Sequence, residues 1–186
     1  STKQRDLAAT DPNMFQYPLV YMHGRSNFQF GSQERRQLQE YLARGNVLFA
    51  DACCGSPQFD KSFRNLIAEL YPNKKFERIS ADHEMFSTKI GYDIRRVKRR
   101  MPATDNSQAA LDAALQEGEP YLEGIEIDGR YAIIYSKYDI SCALERQASV
   151  ACAGYAHEDA VRIAINVVRY ALLQDISYKR QVEEIK

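Results

Sequence analysis

The chain has 186 residues, a formal net charge of zero, 45% hydrophobic and 27% charged residues. That length fits one domain, large enough to bury a core without disulfide or metal staples. The balanced charge argues against nucleic acid or an anionic membrane as main partner, and no apolar run approaches the ~18 residues of a transmembrane helix.

The opening Ser1-Thr2-Lys3-Gln4-Arg5-Asp6 is polar, and residues 1–14 show no hydrophobic period. They read as a linker from a longer polypeptide, whose upstream part would carry any targeting signal. Tyr17 to Met22 is a short apolar run between Pro18 and Gly24 and predicts a buried strand. His23-Gly24-Arg25-Ser26-Asn27 follows as a polar loop at its carboxyl end. Ser32 is placed to cap a helix, Leu38, Tyr41 and Leu42 give that helix an apolar face, and Gly45 ends it.

Gly45-Asn46-Val47-Leu48-Phe49-Ala50-Asp51 then predicts a central strand running into the small-residue loop Ala52-Cys53-Cys54-Gly55-Ser56-Pro57. A second helix is expected over about 60–71, with Phe63, Leu66, Ile67 and Leu70 as its stripe. Phe76 to Ile79 is a short strand. Strand, helix, strand, helix, strand is the pattern of a parallel sheet with helices on both faces. Residues 87–120 read as an insertion, basic at Arg95-Arg96-Val97-Lys98-Arg99-Arg100 and alanine-rich helical over 104–118. Ile125-Glu126-Ile127, Asp128-Gly129 and Arg130 to Tyr135 spell an antiparallel hairpin. Cys142 and Cys152 fall in an irregular stretch. The last helix carries Ala160, Ile163, Ala164, Val167, Val168, Ala171 and Leu172 on one face, and 175–186 is a charged tail.

Tyr17-Pro18-Leu19-Val20-Tyr21-Met22-His23-Gly24, the Gly45 to Asp51 strand, Asp82-His83-Glu84-Met85-Phe86, Asp128-Gly129-Arg130, Tyr135-Ser136 with Asp139-Ile140, and Asn166 to Leu172 keep a distinctive order and spacing. Together they resemble the bacterial family known as domain of unknown function 4159, over roughly residues 15–173. The resemblance implies a flavodoxin-like, class I glutamine amidotransferase-like fold. It also implies a module placed late in larger envelope-associated bacterial proteins.

Amidotransferases of that class hold a nucleophilic Cys on a strand-to-helix turn flanked by small residues, and Cys54 has Ala52 and Ser56 in those places. Pro57, Gln58 and Phe59, which stand between Cys54 and the expected helix start, and the lack of a His-x-Glu pair count against it. Cys54 is therefore weighed as nucleophile, with His83 or His157 as base, against an inert, half-buried thiol. Zinc ligation by Cys53, Cys54, His23 and His83 is disfavoured, because zinc ligands usually come as spaced pairs. Cys142 and Cys152, ten residues apart, are weighed as a local disulfide against two unpaired thiols. The basic cluster reads as a solvated face.

The expectation is thus an α/β, flavodoxin-like three-layer domain over 15–174, with a mixed, mostly parallel sheet and an antiparallel hairpin near 125–136. Its ligand site is assigned to His23, Arg25, Asp51, Cys53, Gly55 and Ser56, where strands of an open sheet end. The function expected is a non-catalytic ligand- or protein-binding module, and the alternative is a Cys-dependent hydrolase or amidotransferase. No cofactor, metal, nucleic-acid partner or direct membrane insertion is expected. The partners are an unidentified small molecule or protein and the rest of the longer polypeptide.

Overall fold

The computed structural model describes residues 6–101, 115–147 and 152–184, with side chains to residue 176. Its elements are β1 (Leu19–Gly24), α1 (Ser32–Ala43), β2 (Val47–Ala52), α2 (Pro57–Leu70), β3 (Glu77–Arg78), β4 (Val97–Arg100), β5 (Leu115–Gly118), β6 (Glu123–Ile127), β7 (Arg130–Ser136), α3 (Ser141–Leu144), β8 (Gly154–Tyr155) and α4 (His157–Glu184). The main sheet has the order β1-β2-β7-β6-β3. β1, β2 and β7 pair in parallel, while β6 runs antiparallel to both β7 and β3, so four of the five strands share one direction. The fold is α/β with a mixed sheet.

β2 is buried along its whole length, as a strand covered on both faces must be. Leu48, Ala50 and Ala52 face Tyr41, Phe63 and Ile67 of α1 and α2. Val47 and Phe49 face Ile163, Val167 and Tyr170 of α4. The hairpin forms as expected, with Asp128 and Gly129 both at positive φ. That is the backbone a two-residue turn needs to match strand twist.

Several boundaries differ from the sequence reading. α1 is capped by Gly31, whose N–H donates to the Glu34 carboxylate at 2.5 Å. α2 begins at Pro57, three residues early, because Ser56 caps it and proline is favoured at the first helical position. The helix expected over 104–118 is not seen in its last part: Leu115–Gly118 is β5, paired antiparallel with β4, and 102–114 lie outside the described residues. A second sheet, β5-β4-β8, results. Ile90, Ile94 and Val97 of this region are buried in the same core as Phe49 and Ile134.

On α4 the buried face is rotated from the expected one. Val168 and Leu172 are exposed, and Asn166 and Tyr170 turn inward. Asn166 Nδ2 donates to Met85 O at 2.7 Å and Tyr92 O at 2.8 Å, and the Tyr170 hydroxyl accepts from Tyr131 N at 3.0 Å. These bonds satisfy backbone groups of the packed segments, which decides the face over hydrophobicity alone. Among the described residues no helix is long and apolar enough to cross a membrane.

Candidate functional site

The carboxyl ends of β1, β2 and β7 meet three loops. These are 53–56 after β2, 137–142 after β7, and 152–154 leading into β8. Two buried carboxylates bind them together.

Asp51, the fifth residue of β2, pairs in register with His23 on one side and Ser136 on the other. Its side chain is fully buried. One oxygen accepts from the Tyr21 hydroxyl. The other accepts from Ile140 N at 2.9 Å, Ser141 N at 3.2 Å and Ser141 Oγ at 3.1 Å. Burial pushes the Asp51 carboxyl up, and the bonds from Ile140, Tyr21 and Ser141 oppose that rise. Burial and the adjacent Asp51 push the Tyr21 phenol up as well.

Asp139 does the same for the next layer. Its carboxylate accepts from Cys54 N at 2.8 Å, Cys142 N at 3.3 Å and Ala143 N at 3.0 Å. Its backbone bridges to Ala153 and Tyr155, through Asp139 N to Ala153 O at 2.9 Å and Tyr155 N to Asp139 O at 3.0 Å. Glycine is required at the tightest contacts. A Cβ on Gly55, whose φ is +69°, would meet Ala153 Cβ at 2.9 Å, and one on Gly154 would meet Asp139 Cβ at 2.7 Å.

The loops so held bring all four cysteines together. Cys54 and Cys152 form a disulfide across 98 residues. Cys142 Sγ lies 2.9 Å from Cys53 Sγ and 3.7 Å from Cys54 Sγ. The Cys142–Cys152 bridge weighed from spacing is replaced by Cys54–Cys152, with Cys53 and Cys142 as free thiols. The reason is that Cys142, in the first turn of α3, has its N–H held by Asp139 and its sulfur against Cys53, whereas the 152–154 loop bonds back to Cys54 through Ala153 N. Burial, with the neighbouring Cys53 and Asp139, pushes the Cys142 thiol well above its ordinary range. Cys54 has φ +56°. This left-handed residue breaks the strand alternation and lets two adjacent side chains face one partner.

The other assigned residues are scattered. His23 and Arg25 are exposed at the end of β1. His23 stacks on Tyr21, with ring centroids 5.4 Å apart. Ser56 is buried and donates to Arg25 O at 2.6 Å, joining the β1 and β2 loops. His83 is not brought to the cysteines. It packs on Tyr131 and Tyr170, with centroids 5.2 and 5.8 Å apart. Tyr131 is at the start of β7, about 16 Å of strand from Ser136 beside Asp51. Burial holds the His83 imidazole below its ordinary value. His157 lies near the cluster, but its Nδ1 contacts Ala143 O at 2.8 Å and its Nε2 accepts from Arg146 at 3.3 Å.

Two hollows adjoin the strand ends. One, of about 560 Å³, runs beside β1 and is lined by Met14, Leu19, Tyr21, His23, Phe30 and Leu38 among others. The second, about 350 Å³, is lined by Arg100, Asp139, Arg146, Cys152 and His157 among others. Sequence reasoning missed Asp139, Tyr21 and Ser141. A local signal existed for Asp139, a short polar side chain just before the Ser141-Cys142-Ala143-Leu144 helical turn.

No curated protein matches the chain. The sequence profile described as Domain of unknown function (DUF4159) matches residues 1–172. Nearly the whole chain, both loop-binding carboxylates and all four cysteines fall within that match, and the chain belongs to the DUF4159 family.

Proposed function

We propose that this domain is a non-catalytic, protein-binding module of a larger, envelope-associated bacterial protein, built on a flavodoxin-like, class I glutamine amidotransferase-like framework. The observation that carries the reading is the outer side of β1. Among the described residues β1 pairs only with β2, and the apolar groove lies along it. An edge strand offers unpaired backbone groups, and a flanking groove takes alternate side chains. That is the chemistry that binds an extended peptide. The mostly aliphatic and aromatic lining favours an apolar segment of a partner polypeptide, with exposed His23 at the groove's strand-end mouth.

The alternative is a Cys-dependent hydrolase or amidotransferase using Cys54. It is favoured by the left-handed backbone at Cys54 on a strand-to-helix turn. The two imidazoles weighed as its base, His83 and His157, are both engaged elsewhere, and a nucleophile needs an imidazole within hydrogen-bond reach. Asp51 and Asp139 are likewise taken up by backbone N–H groups.

Selection of displayed random peptides on the immobilised domain tests the reading. Enrichment of extended, β-branched and aromatic sequences is expected, with binding weakened at least about tenfold in Leu19→Lys. No enrichment, or unchanged binding in both Leu19→Lys and His23→Glu, would overturn it. Turnover of an amide or thioester by reduced protein, lost in Cys54→Ser, would put the alternative first.

A further inference from the structure

We infer that Cys53, Cys54, Cys142 and Cys152, once the Cys54–Cys152 bond is reduced, form a four-thiolate site for one d¹⁰ cation of the zinc class. The site is separate from the β1 groove, so neither reading depends on the other.

The argument begins with convergence. Sulfurs from three loops gather in one place, with Cys54 and Cys152 98 residues apart in sequence. The ligand-capable atoms of Cys53, Cys54, Cys142 and Asp139 all lie within 4.8 Å of one another. A tetrahedral zinc–thiolate centre, with Zn–S of about 2.3 Å, has sulfur–sulfur edges of about 3.8 Å. Cys54 and Cys142 already stand at 3.7 Å. The Cys53–Cys142 separation, 2.9 Å, needs to open by about 1 Å, and side-chain rotation supplies that. Cys53 and Cys54 are adjacent in the chain and not a spaced pair, and the backbone makes up for that. At φ +56° Cys54 turns its sulfur to the side that Cys53 already faces, and both contact Cys142.

The surroundings suit the charge. Four thiolates around a divalent ion carry a net double negative charge. Arg100 and Arg146 line the cavity beside Cys152, and that cavity gives the ion a path from solvent. Asp139 acts here as a positioning residue, since it fixes the N–H groups of both Cys54 and Cys142. Groups that hydrogen-bond to a ligand residue in this way orient it towards the ion.

The redox step balances with a dithiol as reductant. The Cys54–Cys152 S–S bond breaks and the reductant's own S–S bond forms. Two electrons and two protons pass to the two cysteine sulfurs. Binding of the ion then forms four metal–sulfur bonds, and the thiol protons leave to solvent.

The test uses the whole chain, reduced with a dithiol that is removed under nitrogen, and titrated with Co²⁺ as the probe. The expected result is a sulfur-to-cobalt charge-transfer band that saturates at one ion per chain and is erased by one equivalent of Zn²⁺. Cys53→Ala and Cys142→Ser are each expected to weaken binding at least about tenfold. Zn²⁺ is also expected to protect all four cysteines of the native, reduced chain from alkylation, a readout that needs no variant to fold. The oxidised chain is expected to show no such band. Absence of the charge-transfer band in the reduced chain, equal affinity in both variants, or alkylation unaffected by Zn²⁺ would each overturn the inference.

Discussion

The carboxylate of Asp139 accepts the backbone N–H of Cys54 at 2.8 Å, across 85 residues of chain. This bond, and the bonds Asp139 takes from Cys142 and Ala143, join the loop after β2 to the loop after β7. The cysteine cluster exists because two backbone segments share one acceptor.

Asp139→Ala leaves three backbone donors without that acceptor. The expected cost is about 2–4 kcal/mol, because stranded donors in a closed loop lose more than one ordinary bond. The urea midpoint should fall at unchanged slope, and amide exchange at Cys54 and Cys142 should speed up. An unchanged midpoint would show that solvent replaces Asp139.

Asp51→Asn replaces an acceptor pair with one acceptor and one donor. Tyr21, Ile140 and Ser141 all donate to Asp51, so the new amide meets a donor wherever it turns. A loss of about 2–3 kcal/mol is expected, and about 1 kcal/mol for Tyr21→Phe. Cys142 should become easier to alkylate in Asp51→Asn, since Ile140 and Ser141 tether its loop. Equal alkylation rates would refute this coupling.

His83 ties acid sensitivity to packing. Burial lowers its pKa below the ordinary 6.5. The unfolded chain then binds more protons than the folded one between the two values. Stability therefore rises with pH through that window and is lost as pH falls below about 6.5. His83 Nδ1 accepts from Met85 N at 3.2 Å, a cap that Asn can also supply. His83→Asn is expected to flatten the slope of unfolding free energy just below about pH 6.5. A slope as steep as that of the parent would assign it to other groups.

Arg64 holds the far face of the sheet to α2. It pairs with Glu123 through two hydrogen bonds, of 3.2 and 2.5 Å, and with Asp60 at 2.9 Å, and Asp60 also accepts from the Tyr135 hydroxyl at 2.9 Å. The Glu123 side chain is 11% exposed, against 34% for Arg64. Arg64→Met strands a nearly buried carboxylate and should cost about 2 kcal/mol, with partial exposure of the arginine holding the figure down. The double variant Arg64→Met, Glu123→Leu should recover much of that loss in a thermal melt. A double variant less stable than either single one would show that the pair is net stabilising.

What could be read along the chain was whatever a short window contains. The stripe Phe63, Leu66, Ile67, Leu70 spells α2, and Asp128-Gly129 between alternating apolar residues spells the hairpin. Val47 to Asp51 reads as a buried strand because both of its faces are apolar. Where local reading slipped, a side chain had two uses. Ser56 caps α2 and also bonds Arg25 O, so the helix starts before its apolar stripe does. Asn166 and Tyr170 are polar on their outlines, yet both face inward because backbone groups of packed segments need them.

The α/β order of elements, the hairpin and a thiol-bearing loop at the end of the central strand are legible locally, because period, turn chemistry and capping act over a few residues. Long-range packing brought Cys142 and Cys152 to Cys53 and Cys54, set the Asp51 and Asp139 carboxylates on loop N–H groups, and left His83 beside the other end of β7. Those outcomes depend on β7 pairing beside β2, more than 80 residues away along the chain, and on glycines that let backbones touch. No local window contains both partners of such a contact, so its energy enters only once the sheet has formed.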